Sequence, residues 1–253
     1  MRKRHLLAAG LWLCVTLCAN AASAAEITLV APGGAKAAMD ALLPVFEKQT
    51  GNVVKSTFGS GLGTKKQAAQ GTFDVSIAQP PFPDVLNSPD VDVKSQTPLA
   101  SVAVAVAVKK GSPKPDISSA AAVKKMLLAA NSVTYPDSKG GAAAGVSFDA
   151  TLKQIGIADQ IAAKIKRAQG GAGAMALVAN GSVEIGLTFA SEMQDPGIDV
   201  VGPLPVSISP PTQLVAFVSA HSQHADIAKA LLKFLSSPAA ADVYRAQGMQ
   251  PLH

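Results

Sequence analysis

The amino-acid sequence predicts an α/β protein of two lobes, each a mostly parallel sheet flanked by helices, with the lobes joined by a hinge. Three observations carry this expectation. Short apolar runs alternate with segments whose apolar residues recur at helical spacing, the pattern of parallel βαβ units covered on both faces. Two proline clusters, Pro80 to Pro98 and Pro203 to Pro211, interrupt that rhythm and separate two blocks. The chain has 253 residues and is 48% hydrophobic, enough for two cores in lobes of about 100–120 residues.

The chain opens with Met1-Arg2-Lys3-Arg4-His5, an apolar run from Leu6 to Leu17, and the small residues Ala22-Ser23-Ala24. A basic start, a short apolar stretch and an Ala-x-Ala site read as a cleaved secretory signal peptide, residues 1–24. The run is too short to span a bilayer well. Leu13 before Cys14 and Leu17 before Cys18 argue against a lipid anchor.

Ile27 to Val30 is then a short buried strand, ended by Pro32-Gly33-Gly34. Met39, Leu42, Leu43 and Phe46 share one face of a helix that Gly51 ends, with Pro44 expected to kink it or start its second segment. Val53 to Phe58 is the next strand, a helix follows from about Gly63 to Gln70, and Asp74 to Ala78 is a third strand. Val102 to Val108, apolar on both faces, suits a central or lobe-crossing strand. Beyond Pro113 and Pro115, a helix at 120–130 leads to a strand at 133–135, a glycine-rich turn at 138–145 and a helix reaching Gly156. Gly170 to Gly173 opens another helix, and 185–189 and 198–201 are strands. After the second proline cluster come a strand at 214–218, a helix with Ile227, Leu231, Phe234 and Leu235 on one face, and Ser237-Pro238 as cap and first residue of a last helix. The expected first lobe is residues 25–98 plus 219–253, and the second is 99–218.

Composition narrows the function. Against 22 Lys and Arg stand 17 Asp and Glu, a formal charge of +5, with a pI near 9.2. Only 15% of residues are charged and 4% aromatic, too sparse for a nucleic-acid surface with stacking rings, while the apolar content excludes disorder. Three of the basic residues lie in the leader, so the mature 229 residues carry 19 basic against 17 acidic, a net +2. Both cysteines and Trp12 leave with the leader, so no disulfide, cysteine nucleophile or cysteine-based metal site remains. His221, His224 and His253 are too few and too near the C-terminus for a zinc enzyme. The first two flank a loop with no nucleophile signature, which argues against a hydrolase. An exported, nearly neutral chain of this kind is expected to bind rather than catalyse, without metal or cofactor.

Four glycine-rich turns lead into helices: 31–36, 59–64, 138–145 and 170–173. Helix N-termini present unpaired N–H groups and the positive end of the dipole, and glycine lets a ligand approach the backbone. Two such turns from each lobe, facing across a cleft, make an anion site of neutral donors. None is a nucleotide motif, since Gly59-Ser60-Gly61-Leu62-Gly63 lacks a third spaced glycine and no Gly-Lys-Ser/Thr loop exists. Asp137, beside Tyr135-Pro136, reads as a turn former.

The opening strand and helix through Phe46-Glu47-Lys48-Gln49-Thr50-Gly51, together with Phe58-Gly59-Ser60-Gly61, Asp74-Val75-Ser76-Ile77, Gly186-Leu187-Thr188-Phe189-Ala190-Ser191-Glu192 and Phe234-Leu235-Ser236-Ser237-Pro238, resemble the periplasmic molybdate-binding proteins. These are bacterial extracellular solute-binding proteins of ABC importers. The resemblance covers essentially the whole mature chain. It implies a type II periplasmic binding-protein fold and a periplasmic, monomeric protein that takes up a small anion and presents it to a membrane permease. On the family's pattern the ligand-binding positions are Gly34, Ser60, Gly61, Ala144, Gly171, Ala172 and Phe189. Two depart from it: Gly34 stands where the family usually has a serine, and Phe189 where it has a tyrosine. Each charged hydrogen bond lost is worth roughly 1.5–3 kcal/mol, so the pocket is expected to suit another anion, a small carboxylate or a different oxyanion, with Lys36, Lys65 or Lys139 supplying charge. The alternative is an exported sensing module that reports a small organic acid to a membrane receptor.

Overall fold

The computed structural model describes residues 24–252; the expected signal peptide, apart from Ala24, lies outside them. The first sheet grows from β1 (Glu26–Pro32), followed by α1 (Lys36–Thr50), β2 (Val53–Gly59), α2 (Gly61–Ala69) and β3 (Val75–Ala78). Met39, Leu42, Leu43 and Phe46 are the buried face of α1, and Gly51, at φ 73°, caps it as expected. Burying each such side chain contributes about 1.5–3 kcal/mol. Pro44 lies inside one continuous helix and starts no second segment. Pro44 and Asp40 are both exposed, so water replaces the N–H that the Asp40 carbonyl loses.

After a single-turn α3 (Pro83–Leu86), the chain runs through the long strand β4 (Val91–Val102), breaks at Ala103, and continues as β5 (Val104–Lys109) in a second sheet. That sheet is completed through α4 (Ala120–Ala129), β6 (Val133–Pro136), α5 (Ala143–Gln154), α6 (Ala158–Ile161), β7 (Ile165–Ala168), α7 (Gly170–Ala179), β8 (Ile185–Phe189) and β9 (Ile198–Pro203). The return strand β10 (Thr212–Ser219) rejoins the first sheet, and α8 (Ala225–Leu235), α9 (Pro238–Ala246) and β11 (Met249–Pro251) close the chain there. Phe234 of α8 packs on Phe46 of α1, ring centroids 5.7 Å apart. No helix among the described residues is long and apolar enough to cross a membrane.

The strand orders are β11-β4-β10-β3-β1-β2 and β7-β6-β8-β5-β9. The expected parallel pairing holds in the βαβ parts, where β1 pairs with β2 and β3, and β6 with β7 and β8. The strands that cross between the sheets pair antiparallel, because a chain that leaves one sheet and returns must run against it. These pairings also correct the expected division: residues 99–102 and 212–218, placed in the second lobe from sequence, are strands of the first sheet. The crossings are therefore Ala103 and residues 204–211.

Candidate ligand-binding cleft

The parallel strands of both sheets deliver their carboxyl ends to one cleft, the place where open α/β sheets bind ligands. Its volume is ≈ 540 Å³. Gly33 and Gly34 follow β1, Ser60 and Gly61 follow β2, and Gln79 follows β3. From the other sheet come Asp137, Gly140 and Ala142 to Ala144 after β6, Arg167 to Gly171 around the end of β7, and Phe189 and Glu192 at the end of β8. Six of the seven residues expected from sequence, Gly34, Ser60, Gly61, Ala144, Gly171 and Phe189, line this cleft. Ala172 does not: it points outward on the first turn of α7, exposed to solvent.

The helix starts define its electrostatics. Away from the cleft, α4 and α9 are capped by the hydroxyls of Ser119 and Ser237, while α8 has no side-chain cap. At the cleft, α5, α7 and the short turn before α1 begin without a side-chain cap, which leaves first-turn N–H groups facing the cavity. Only α2 is capped, by Ser60, whose Oγ accepts from the Gly63 N–H at 3.1 Å and whose own proton is still available to donate. Close packing sets α5: a Cβ on Gly145 would stand 2.1 Å from the Pro136 carbonyl.

The cation at the wall is Arg167, not one of the expected lysines. Lys36 pairs with Asp40 at 2.5 Å, Lys65 donates to the Pro81 carbonyl, and none of Lys36, Lys65 and Lys139 lines the cleft. Arg167 lies over the Tyr135 ring, 4.0 Å from its centroid, and its Nη2 is 3.0 Å from Asp149 Oδ1. Asp149 also accepts from the Tyr135 hydroxyl at 2.6 Å and from Ser138 Oγ. Burial works to raise the Asp149 carboxyl, but the hydrogen bonds from Ser138, Tyr135 and Arg167 together hold it below the usual carboxylate range. The guanidinium is thus held rigidly at the cleft edge. Asp137 is the expected turn former, its Oδ1 accepting from the Lys139 N–H.

Phe189 and Gly34 prove to be one feature. A Cβ on Gly34 would lie 3.0 Å from Cδ2 of the buried Phe189 ring, so a serine at position 34 would press on the ring, which must give by a few tenths of an ångström. Beside them, Glu192 Oε1 is 3.3 Å from a Cβ on Gly33, and its Oε2 is 2.5 Å from one on Gly171, so only glycine fits at 171. Burial pushes the Glu192 carboxyl above its usual value of 4.5, against hydrogen bonds from the Thr188 hydroxyl and the Phe189 N–H. Across the cleft, the Leu62 N–H donates to the Gly141 carbonyl at 3.2 Å, and Ser191 Oγ to the Gly34 carbonyl at 2.8 Å. These bonds tie the two lobes together around the cavity.

Sequence reasoning missed Gln79, Arg167 and Glu192. Each sits at or just past the carboxyl end of a strand, and that position is the signal that would have found them.

A two-sheet α/β molecule whose strand ends and helix starts converge on an interlobe cleft defines the class of two-lobed periplasmic binding proteins. The chain belongs to the bacterial extracellular solute-binding protein family, whose model matches residues 27–250. It is similar to an aconitate isomerase of a Pseudomonas species, 30% identical and covering 89% of this chain and 88% of that one. The molybdate-binding protein ModA of Escherichia coli K12 is 25% identical over 98% of both chains. The fold is shared with the substrate-binding domain of a molybdenum ABC transporter from Clostridium difficile, TM-score 0.74 at 19% identity, covering 91% of this chain and all of that one. The family resemblance seen in the sequence holds, at the low identities of a divergent member.

Proposed function

We propose that this protein is a periplasmic solute-binding component of an ABC importer, monomeric, and that its two lobes close on a small organic anion carrying carboxylates. The uncapped starts of α5 and α7 beside the fixed Arg167 guanidinium carry this reading. N–H groups and a guanidinium fork suit planar carboxylates. A cavity of ≈ 540 Å³ is in the range used by multi-atom ligands, and a five-atom oxyanion fills only a small part of it. A desolvated Glu192 disfavours a compact dianion, yet it serves as a hydrogen-bond donor to a carboxylate once protonated. The similar Pseudomonas protein is named for aconitate, a tricarboxylate, which agrees with this choice over molybdate.

A thermal-shift panel of molybdate, tungstate, sulfate, phosphate and small di- and tricarboxylates tests the reading. A bound carboxylate at a hundred times its Kd stabilises the folded chain by about 2.7 kcal/mol. Stabilisation by molybdate or tungstate with silence across the carboxylates overturns it.

Glu192 also favours a second reading, proton transfer on the bound anion. Its carboxylate would take a proton from a carbon next to the ligand's unsaturated centre and return it to another carbon, leaving the composition unchanged. A raised pKa suits such a group to both halves of the transfer. Incubation with cis-aconitate in deuterium oxide, followed by proton NMR, decides this. Solvent deuterium in trans-aconitate that disappears in Glu192→Gln supports turnover, and unchanged cis-aconitate removes it.

A further inference from the structure

Of the residues lining the cleft, Gln79 is the one whose side-chain nitrogen and oxygen are both buried and both without a hydrogen-bond partner among the described residues. It is 2% exposed and separates the main cleft from a smaller cavity of ≈ 240 Å³. Its Oε1 stands 3.0 Å from where a Cβ on Gly61 would be, and its Nε2 3.9 Å from one on Gly34. Glycine at both positions therefore keeps side chains out of the space between the amide and the cleft. The same Cβ on Gly61 would meet Ala143 of the opposite lobe at 3.0 Å, so the amide lies against the seam where the lobes meet.

A glutamine amide presents N–H donors and a carbonyl acceptor, and a buried amide with neither met is unfavourable. Gln79 lies just past the last paired residue of β3, Ala78, and neither of its amide atoms finds a partner among the described residues. Whatever completes Gln79 is shut in with it when the lobes close. We infer that Gln79 determines the specificity of the cleft, its N–H group bonding a carboxylate oxygen and its carbonyl accepting from a neighbouring O–H, so that the ligand is a hydroxycarboxylate. The inference rests on the organic-anion reading above. A fully ionised oxyanion or a plain polycarboxylate, aconitate included, meets the N–H and leaves the carbonyl enclosed and unmet, so a hydroxycarboxylate ligand departs from the proton-transfer reading on aconitate. Turning the amide over exchanges the two atoms and still presents one donor and one acceptor.

The test is calorimetry on the mature protein, refolded from denaturant to strip bound anions, with two pairs of probes that differ by one hydroxyl: malate against succinate, and citrate against tricarballylate. Wild type is expected to bind the hydroxylated member of at least one pair about tenfold or more tightly. Gln79→Met is expected to lose about tenfold or more in that affinity and to bind both members of the pair within about twofold. The unliganded variant is expected to melt above wild type, because an unmet buried amide has been removed; a merely structural glutamine would shift melting the other way. Equal wild-type affinities within both pairs, or discrimination that survives in Gln79→Met, overturn the inference and leave the anion reading standing. Wild type that binds none of the four probes overturns both.

Discussion

At the scale of single residues, Gly34 and Phe189 work as a pair. Gly34→Ser places a Cβ 3.0 Å from the ring, and overpacking of this kind typically costs about 1–3 kcal/mol. Chemical denaturation should show that loss for the single variant and a smaller one when Phe189→Leu accompanies it, a coupling that a double-mutant cycle measures. Glu192 adds a pH dependence whose sign follows from its raised pKa. Folding favours the protonated form, so its contribution to stability is fully present below 4.5 and is lost as pH rises through the folded value. Affinity for an anion should fall over the same rise, and Glu192→Gln should flatten that part of a calorimetric pH profile while raising the melting temperature at neutral pH. The glycine turns were legible because glycine is a local signal for close backbone approach. Gln79, Arg167 and Glu192 were not, since a lone polar residue at a strand end belongs to no local pattern until the fold brings the strand ends together.

Among the elements, α5 is the most sensitive. Gly145 sits in its first turn against the Pro136 carbonyl, with 2.1 Å for any Cβ, so Gly145→Ala must push the helix start off β6. Thermal denaturation should register at least about 1–3 kcal/mol of destabilisation. Ligand affinity should fall further than stability alone explains, because the displaced N–H groups line the cleft. Most elements could be read from periodicity, including the buried face of α1 and the Ser237-Pro238 start of α9. The first half of β4 escaped notice because Val91 to Pro98 is polar and only partly buried. β7 escaped because Lys166 and Arg167 make it polar and exposed, and β11 because it has only three residues.

For the whole molecule, the proline clusters signalled two lobes. The second, Pro203 to Pro211, coincides with the crossing at 204–211. The first ends at Pro98, before the crossing at Ala103, and the boundary expected at 218/219 lies at the far end of β10. Local composition finds irregular stretches, whereas strand pairing, which is long-range, decides which strands lie on either side of a crossing. Two cross-cleft bonds, Leu62 to Gly141 and Ser191 to Gly34, join lobes that are linked by only these two chain segments. Small-angle scattering should show a smaller radius of gyration in saturating ligand than in the stripped protein, and a radius indifferent to ligand would rule out closure as the response. Helix starts left without side-chain caps have one practical consequence. On the proposed function, protein isolated from cells, or handled in citrate, should carry an anion on those N–H groups through purification. Its history in the tube will then set its melting temperature and mask its affinity, and native mass spectrometry of the freshly isolated chain is the direct way to see what it brings along.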